Sequence, residues 1–406
     1  MTLHRARIVL PLSAPPIENG AIAVDGTMIM QVGSFEDVRA QFPAAGVTDH
    51  GEAILLPGLI NAHCHLDFTV MRGAILSNGS FSAWVRRINE LKRTLTDADY
   101  IASIGAGLAE LKKWGTTTVL NIESLPELMV HLPPPAIRTW WFYELLDIRS
   151  RIHTEDVVAG ALSFFEQRPS WHGGFGLSPH APYTTSVDLY RLVRFCSEKY
   201  GMPFTTHLAE SDEEMQMFTE GAGPLYDFLK GLGRDMRDCD GKSPIRHLLE
   251  AKALPPGAIL AHMNQLGSGD EELLAAHGKS FAIVHCPNCH EYFKRAPFPY
   301  ETFRRLGLRV SLGTDSCASN RGLNLFDEMQ TFRRNFPGTS PRELLDMVTR
   351  HPAAALGFAG RFGELRPGAR ADFITIPFSG AASDAIEAIV ENRVPPAAVY
   401  LNGQSA

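Results

Sequence analysis

The first residues that could do chemistry are two histidines spaced two apart. His63 and His65 lie in the segment 61–67 (NAHCHLD), directly after the apolar run 54–60. Side chains two apart on a strand point the same way, so both imidazoles can aim at one point from the strand's end. This is a metal-chelating geometry, although two histidines at a strand end can also be ordinary polar residues of a loop entrance.

The elements that must position these histidines follow a repeating pattern. Apolar, strand-like runs alternate with helical stretches, which is typical of a parallel sheet covered by helices. We count eight such runs, which end near His63, Ile122, Leu145, Ser178, His207, His262, His285 and Asp315. Eight strand–helix units predict a closed, TIM-like (β/α)8 barrel, an α/β fold whose active site lies at the C-terminal ends of the strands.

Polar residues test this prediction, because they should collect at the strand ends. By this assignment the strand ends carry His63, His65, His180, His207, His262, His285 and Asp315. Histidines scattered through a core would not be distributed in this way.

Both ends of the chain differ in character from the middle. Residues 1–56 and 361–406 contain short strands bounded by turn signals, such as Gly20–Gly26 and Ala371–Pro377. Neither end has enough strands to be stable alone, so we expect the two to pair. We therefore predict a small β-sandwich domain built from both chain ends, beside a barrel that spans residues 57–360.

Composition limits the classes of partner. The chain has 406 residues, with 38 basic and 45 acidic side chains and a formal net charge of -7. It has no Lys/Arg run suited to a phosphate backbone, so a nucleic acid polymer is not an expected partner. No segment approaches the roughly 20 apolar residues that cross a bilayer, and the apolar start is too short for a signal peptide. We expect a cytoplasmic homo-oligomer that acts on a small molecule.

Six ordered motifs resemble the amidohydrolase superfamily. They are Pro57–His65, Pro179–Thr184, Thr206–Ser211, Ala261-His262, His285–Pro287 and Gly313–Asp315. Their order and spacing are most similar to the branch that contains cytosine deaminase, the s-triazine hydrolases and the adenosylhomocysteine and aminofutalosine deaminases. The length of the chain and the segment 210–225 are closer to the aminofutalosine-deaminase-like members.

The resemblance implies one divalent metal, zinc or iron(II), held by His63, His65, His207 and Asp315. Members with two metals usually supply a carbamylated lysine from the fourth strand. Here that strand ends in Ser178-Pro179-His180, so a single metal is expected.

The same resemblance implies roles around the metal. Glu210 stands where ring-deaminating members have a glutamate that protonates a ring nitrogen, Asp315 can accept a proton from the water, and His262 hydrogen-bonds that water. Glu210 could instead be an ordinary acidic residue in a first helical turn. Substrate contacts are expected from His180, His285 and Arg72, although either histidine could instead only support other side chains of the site, and Arg72 could be a solvated surface residue.

Weaker candidates lie on the neighbouring strands and loops. Glu123 and Glu144 come near the ends of the second and third strands, and Trp84 could line the pocket, although an aromatic on an amphipathic helix is more often core. Specificity in this fold lies in the loops after the strands, so residues 220–243 and 291–301 are the expected lids or pocket walls.

The stretch Cys286–His290 has the spacing of a c-type haem attachment site. We disfavour haem, because no export signal is present and His285 already occupies a predicted strand end. Many members of the resembled family have Ser-Asn where Cys289 and His290 stand, so this wall is expected to recognise something different. The six cysteines are scattered, which favours free thiols over a disulfide framework.

These residues and the resemblance that they carry imply the hydrolytic deamination of an amino-substituted, purine-like or nucleoside-like heterocycle. Glu210 in its His-x-x-Glu arrangement favours this reaction over simple amide hydrolysis. One alternative is hydrolysis of a triazine-type C–N or C–Cl bond, or of a cyclic amide. Another is a non-catalytic barrel retained for binding, but such proteins usually lose a metal ligand.

Overall fold

The computed structural model describes residues 1–77, 79–148, 153–166, 171–277 and 280–406. The N-terminal strands are β1 (Thr2–Val9), β2 (Ile17–Asp25), β3 (Met28–Ser34), β4 (Gly46–Asp49) and β5 (Ala53–Pro57). The central strands are β6 (Leu59–His65), β7 (Thr116–Glu123), β8 (Arg138–Leu145), β9 (Gly173–Pro179), β10 (Thr205–Leu208), β11 (Ile259–His262), β12 (Ala282–His285), β13 (Arg309–Leu312) and β14 (Asp315–Ser316). The C-terminal strands are β15 (Phe373–Pro377), β16 (Ala398–Leu401) and β17 (Gln404–Ser405).

Helices alternate with the central strands. They are α1 (Phe35–Gln41), α2 (Phe81–Lys92), α3 (Asp97–Lys113), α4 (Thr154–Glu166), α5 (Val187–Tyr200), α6 (Asp212–Glu220), α7 (Pro224–Gly231), α8 (Pro244–Glu250), α9 (Asp270–His277), α10 (Pro287–Tyr292), α11 (Tyr300–Arg305), α12 (Leu325–Asn335), α13 (Pro341–Met347), α14 (Arg350–Ala355) and α15 (Ala385–Val390). Within the ranges given above, none of these helices has both the length and the hydropathy to cross a membrane.

The bounds of α3 show how local sequence places these elements. The Thr96 hydroxyl accepts from the N–H of Asp99, and the Asp99 carboxylate accepts from the N–H of Thr96, which is a capping box. The helix ends before Gly115, whose φ of +79° is a conformation that glycine adopts readily. Local sequence thus sets both the start and the end of this helix.

The central strands run parallel in two ladders. One ladder joins β6, β7, β8 and β9, and the other joins β10, β11, β12 and β13. After β13 the chain continues into β14, which pairs with β6, and one bridge between Leu177 and Phe204 joins β9 to β10. The eight predicted runs therefore form a TIM-like (β/α)8 arrangement. Because pairing is interrupted at two places, the described strands do not form a closed hydrogen-bonded ladder.

Strands from both chain ends share one sheet. Its order is β17-β16-β15-β5-β1-β2-β3, with β4 paired to β1. The two ends meet where β5 lies antiparallel to β15, with Leu55 opposite Thr375. The prediction that the ends pair is confirmed. The strands form a single sheet, so the predicted β-sandwich is not confirmed.

A buried ion pair connects the barrel to this terminal sheet. Arg138, at the start of β8, donates to the carboxylate of Asp372 at 2.9 Å and to the side-chain oxygen of Asn402 at 2.7 Å. Both charged side chains are less than a tenth exposed. Removing one partner would leave the other charge buried and uncompensated, so this contact fixes the sheet against the barrel.

Candidate active site

Four imidazoles and one carboxylate converge at the C-terminal ends of the central strands. His63 lies 5.1 Å from His65, 4.9 Å from His207 and 5.2 Å from His262, measured between ring centroids. Two groups of donor atoms lie within 4.8 Å of one another: His63 with His207 and His262, and His63 with His65 and Asp315. The structure therefore brings together all four predicted metal ligands, and it adds a nitrogen of His262 to the donors.

The turn after β13 carries Asp315 beside β6 because a glycine allows close approach of the two chains. A Cβ on Gly313 would lie 2.8 Å from backbone atoms of His63. The next residue, Thr314, donates its N–H to the carbonyl of His63 at 3.1 Å, and its hydroxyl accepts from the Asn61 amide at 2.7 Å. Asn61 thus locks the two strand ends that carry His63 and Asp315.

Non-glycine residues with left-handed backbone cluster at these strand ends. The φ angle is +50° at Ala209, +72° at His262, +48° at Met263 and +56° at Asp315. Such conformations cost about 1–3 kcal/mol each and persist where the surrounding structure enforces them, which is typical of functional sites. Here they turn the chain sharply at the rim of the cavity.

The hydrogen bonds of the histidines fit a divalent metal. His207 Nδ1 lies 2.8 Å from the carbonyl oxygen of His180, which can only accept, so Nδ1 carries the proton and Nε2 keeps its lone pair. That Nε2 faces Nε2 of His65 at 3.1 Å. His63 Nε2 is buried and has no hydrogen-bond partner in the described part of the chain. Asp315 Oδ1 lies 3.7 Å from His63 Nε2 and 3.8 Å from His65 Nε2.

Burial of the histidines and the surroundings of Asp315 give these groups the protonation states that metal ligands need. Burial and the neighbouring imidazoles lower the pKa of His207 to about 3, and burial holds the pKa of His65 and His262 well below the ordinary value. Burial alone would raise the pKa of Asp315. The surrounding His63, His262 and His65 outweigh it, and the pKa of Asp315 lies well below its usual range. Neutral imidazoles and a carboxylate are therefore present near pH 7.

The carboxylate oxygen Oδ2 of Asp315 accepts two hydrogen bonds from neighbouring side chains. Cys289 Sγ donates to Oδ2 at 2.9 Å and the Ser319 hydroxyl donates to it at 3.2 Å. Oδ1 is thereby left facing the histidines. Cys286 and Cys289 are both buried free thiols, so the haem-like motif is packed into the barrel end.

The donor cluster forms the floor of a cavity of about 260 Å³. Polar groups on the floor are His65, His180, His207, Glu210, His262 and Asp315. The wall is largely apolar and comes from α2 and α7, through Phe81, Trp84, Ile88, Leu225, Phe228 and Leu229. The predicted wall at 220–243 therefore contributes to the cavity, and Trp84 both lines it and packs in the core.

Glu210 is buried beside the donor cluster. Its Oε1 lies 3.8 Å from His262 Nε2 and accepts from Arg295 Nη2 at 2.9 Å. Its backbone N–H donates to the carboxyl group of Glu214 at 2.6 Å, and burial raises the pKa of Glu214 to about 8. These contacts fix both the backbone and the side chain of Glu210 at the cavity floor.

His180 also lines the cavity, as predicted for a substrate contact. Its Nδ1 lies 2.6 Å from the Thr184 hydroxyl, and its Nε2 lies 3.9 Å from Oε1 of Glu144. Burial lowers the pKa of His180 to about 4. Glu144 lines the cavity, whereas Glu123 is buried behind it and accepts from the N–H of Leu125.

Two predicted substrate residues lie elsewhere. The His285 ring stacks on Phe298, with 3.8 Å between ring centroids and 13° between the planes. Arg72 pairs with Glu110 on α3 and donates to the carbonyl of Arg321 at 2.8 Å. Neither side chain lines the cavity, so the structure does not support the predicted substrate contacts of His285 and Arg72.

Sequence reasoning missed three residues that hold the site together. Asn61 bridges the strand ends, Asn264 donates to the carbonyl of Glu210 at 3.0 Å, and Arg295 pairs with the Glu210 carboxylate. Asn61 lies within the recognised motif Pro57–His65 and Asn264 stands two residues after His262, so position relative to these motifs is the one signal that could have marked them. Arg295 lies in the segment 291–301 that was singled out only as a wall.

Comparison with known proteins identifies relatives along most of the chain. The model of the amidohydrolase family matches residues 54–405, and a bacterial imidazolonepropionase-like composite domain matches residues 20–45. An aminodeoxyfutalosine deaminase from Deinococcus radiodurans is 29% identical over 86% of this chain and 84% of that protein. A 5-methylthioadenosine/S-adenosylhomocysteine deaminase from Syntrophobacter fumaroxidans is 30% identical over 88% of this chain and 80% of that protein.

Solved structures share the fold. The aminofutalosine deaminase of Helicobacter pylori, in complex with methylthio-coformycin, has a TM-score of 0.85 at 21% identity over the whole of both chains. An adenosine deaminase from Xanthomonas campestris with bound zinc has a TM-score of 0.81 at 22% identity, covering 100% of this chain and 92% of that one. With the family model matching from Ile54 almost to the C-terminus and the donor cluster intact, this chain belongs to the amidohydrolase family.

Proposed function

We propose that this chain is a hydrolytic deaminase that replaces the amino group of a purine-like nucleoside with oxygen and releases ammonia. Its named relatives, an aminodeoxyfutalosine deaminase and a methylthioadenosine/adenosylhomocysteine deaminase, support this substrate class. Because substrate preference in this fold depends on loops, the individual nucleoside is left to experiment.

A resident metal would be held by His63, His65, His207 and Asp315. Three imidazoles and one carboxylate suit a single divalent ion, and we propose zinc. A divalent metal bound there supplies a water whose pKa is lowered to about 7, which is a nucleophile at neutral pH.

The chain's own residues would then move the protons. His262 orients the water, and Asp315 accepts its proton. As the water attacks the ring carbon that bears the amino group, Glu210 delivers a proton to the adjacent ring nitrogen. The proton held by Asp315 would then pass to the exocyclic nitrogen, which leaves as ammonia, and the proton of the new ring hydroxyl would return to Glu210, so water and the aminopurine become an oxopurine and ammonia.

The single observation that carries this proposal is the position of Glu210. Its carboxylate is buried at the floor of the cavity, 3.8 Å from His262 and beside the donor cluster. An acid at this place can reach a ring that lies against the cluster, whereas hydrolysis of a simple amide needs no proton on a ring nitrogen. His180 is close enough to contact the same ring.

The cavity wall supports a substrate with an uncharged body. Side chains from α2 and α7 give an apolar surface opposite the polar floor, with Lys92 and Glu144 as charged groups at its edge. A flat heterocycle can bury its face against the aromatic residues while its edge meets the histidines and Glu210.

Ammonia release tests the proposal. Zinc-loaded protein is incubated with methylthioadenosine, adenosylhomocysteine, aminodeoxyfutalosine, adenosine and an aminotriazine, and ammonia is measured together with the product. Release from one of the nucleosides at a saturable rate is expected. If protein with one metal bound per chain releases no ammonia from any of the nucleosides, the proposal is contradicted. Turnover of the triazine alone would favour the triazine hydrolase alternative.

We also propose how the chain divides between catalysis and support. Residues 57–360 would form the catalytic barrel, and residues 1–56 and 361–406 the accessory β domain. The shared terminal sheet and the Arg138–Asp372 pair support this division. The accessory sheet would stabilise the barrel from the side and take no part in the reaction.

A further inference from the structure

Arg295 is buried beside the active site, and the functions proposed above give it no role. Its side chain is 5% exposed, and that of its partner Glu210 is 7% exposed. The guanidinium lies over the ring of Phe293 at 4.5 Å and over that of Phe81 at 5.7 Å. A permanently charged group is thus held in an aromatic setting with one ionic partner.

Stability alone does not account for an arginine at this place. Arg295 Nη1 is buried and has no hydrogen-bond partner within the described ranges. A buried ion pair with an unsatisfied donor is often no more stable than a hydrophobic pair of the same volume, because desolvation offsets the attraction. An apolar side chain between two phenylalanines would satisfy the packing without that penalty.

The contact with Arg295 gives the two oxygens of the Glu210 carboxylate different surroundings. Oε1 accepts from Arg295 at 2.9 Å. Oε2 has no hydrogen bond to any other part of the described chain, and Glu210 lines the cavity. One oxygen is therefore anchored, and the other is left for a ligand.

The same segment also anchors the backbone of Glu210. His290 Nδ1 donates to the side-chain oxygen of Asn264 at 3.1 Å, and the Asn264 amide donates to the carbonyl of Glu210 at 3.0 Å. The backbone N–H of Arg295 donates to the carbonyl of His290 at 3.3 Å, which holds Arg295 against the same helix. The end of α10 and the next three residues thus hold Glu210 at two points.

We propose that Arg295 is a positioning residue that anchors Oε1 of the Glu210 carboxyl group, so that Oε2 is aimed for proton transfer to the substrate ring. The inference rests on the proposed deaminase function. Arg295 acts through Glu210 without touching the substrate, so it should affect the rate of the chemical step far more than substrate binding.

The test compares Arg295→Met with Arg295→Lys and with Arg138→Met. Methionine fills the space between the phenylalanines but removes the charge and the donors, whereas lysine keeps the charge. Arg138→Met is the matched control, because it also breaks a buried arginine–carboxylate pair, here with Asp372, but lies at the other end of the strands. All three are loaded with zinc, and bound metal, kcat and KM are measured with the nucleoside that the wild type deaminates.

Arg295→Met should lose about 100-fold in kcat, the effect of misplacing a reacting group by about 1 Å, with KM and bound metal near wild type. Arg295→Lys should recover part of the loss, and Arg138→Met should keep kcat. A kcat for Arg295→Met close to wild type, or an equal loss in Arg138→Met, would overturn the proposal.

A measurement without turnover separates this proposal from the deaminase function. Urea unfolding of Arg295→Met, Glu210→Gln and the double variant reports whether the two residues are coupled. If the wild type releases no ammonia from any nucleoside, the deaminase function fails. A double variant less destabilised than the sum of the single variants would then still support the anchoring of Glu210, and additive losses would overturn it.

Discussion

Replacing Glu210 with glutamine is the sharpest perturbation of the site. The amide has nearly the volume of the carboxylate but cannot deliver the proton in the same way. General acid–base groups contribute about 10²–10⁴-fold, equivalent to about 2.7–5.4 kcal/mol of activation free energy. We therefore expect Glu210→Gln to lower kcat by about 10²–10⁴-fold.

The structure adds a second consequence for the same variant. Glu210 is the ionic partner of Arg295, and both side chains are more than nine-tenths buried. Removing one charge of a buried pair costs about 3–5 kcal/mol. Glutamine still offers Arg295 an acceptor oxygen, so we expect a loss of unfolding free energy near the lower end of that range.

The assay pairs initial rates of ammonia release with metal content and urea unfolding. Glu220→Gln is the matched control, because Glu220 ends α6 in solvent and accepts only from the Gln216 amide among the described side chains. It should leave rate, metal and stability unchanged. A Glu210→Gln protein with full metal and a rate near wild type would refute the proton-transfer role.

Three further changes test the ligands, the fold and the terminal sheet. His207→Ala should lower the affinity for zinc by more than the about 10–100-fold that loss of an outer-shell partner costs, as measured by zinc titration of the stripped protein; an unchanged affinity would remove His207 from the ligand set. Gly313→Ala places a Cβ 2.8 Å from backbone atoms of His63 and should reduce both metal content and thermal stability, whereas a wild-type melting temperature would show that the strand ends are not tightly packed. Burial and His50 lower the pKa of His4 to about 4. As pH falls, the unfolded chain therefore protonates His4 before the folded chain does, and stability is lost between about pH 6.5 and about pH 4. His4→Phe should flatten that loss in urea titrations at a series of pH values, and an unchanged pH dependence would contradict the burial of His4.

Much of the site could be predicted from sequence because its chemistry is tied to strand ends. His63, His65, His207 and Asp315 each follow an apolar run, and parallel strands present their C-terminal ends at one face. Residue type and spacing place these side chains at that face, where their donor atoms lie close together, whereas the choice of these four as metal ligands came from the resemblance to the amidohydrolase superfamily.

The predictions for His285 and Arg72 depended on side-chain direction, which spacing does not fix. His285 ends β12 but its ring turns to Phe298, since successive side chains on a strand alternate between faces. The Arg72 guanidinium donates to the carboxylate of Glu110, which lies 38 positions along the chain on α3. Such pairings arise only when helices pack on the barrel, so local sequence carries no sign of them.

Arg295 shows a different limit. Its partner Glu210 is 85 positions away, and the contact depends on the turn after α10. The spacing of residues near position 295 contains no repeat or motif that would single out this arginine. The location in the cytoplasm and the homo-oligomeric state likewise stay predictions.

Zinc-dependent ammonia release from methylthioadenosine is the most direct test of the central claim. Purified protein is stripped with a chelator, assayed, and assayed again after titration with zinc. We expect a rate that is lost on stripping and restored in proportion to zinc up to one ion per chain, with the 6-oxo nucleoside formed in step with ammonia. No release from this or any other nucleoside by protein that holds one zinc per chain would contradict it.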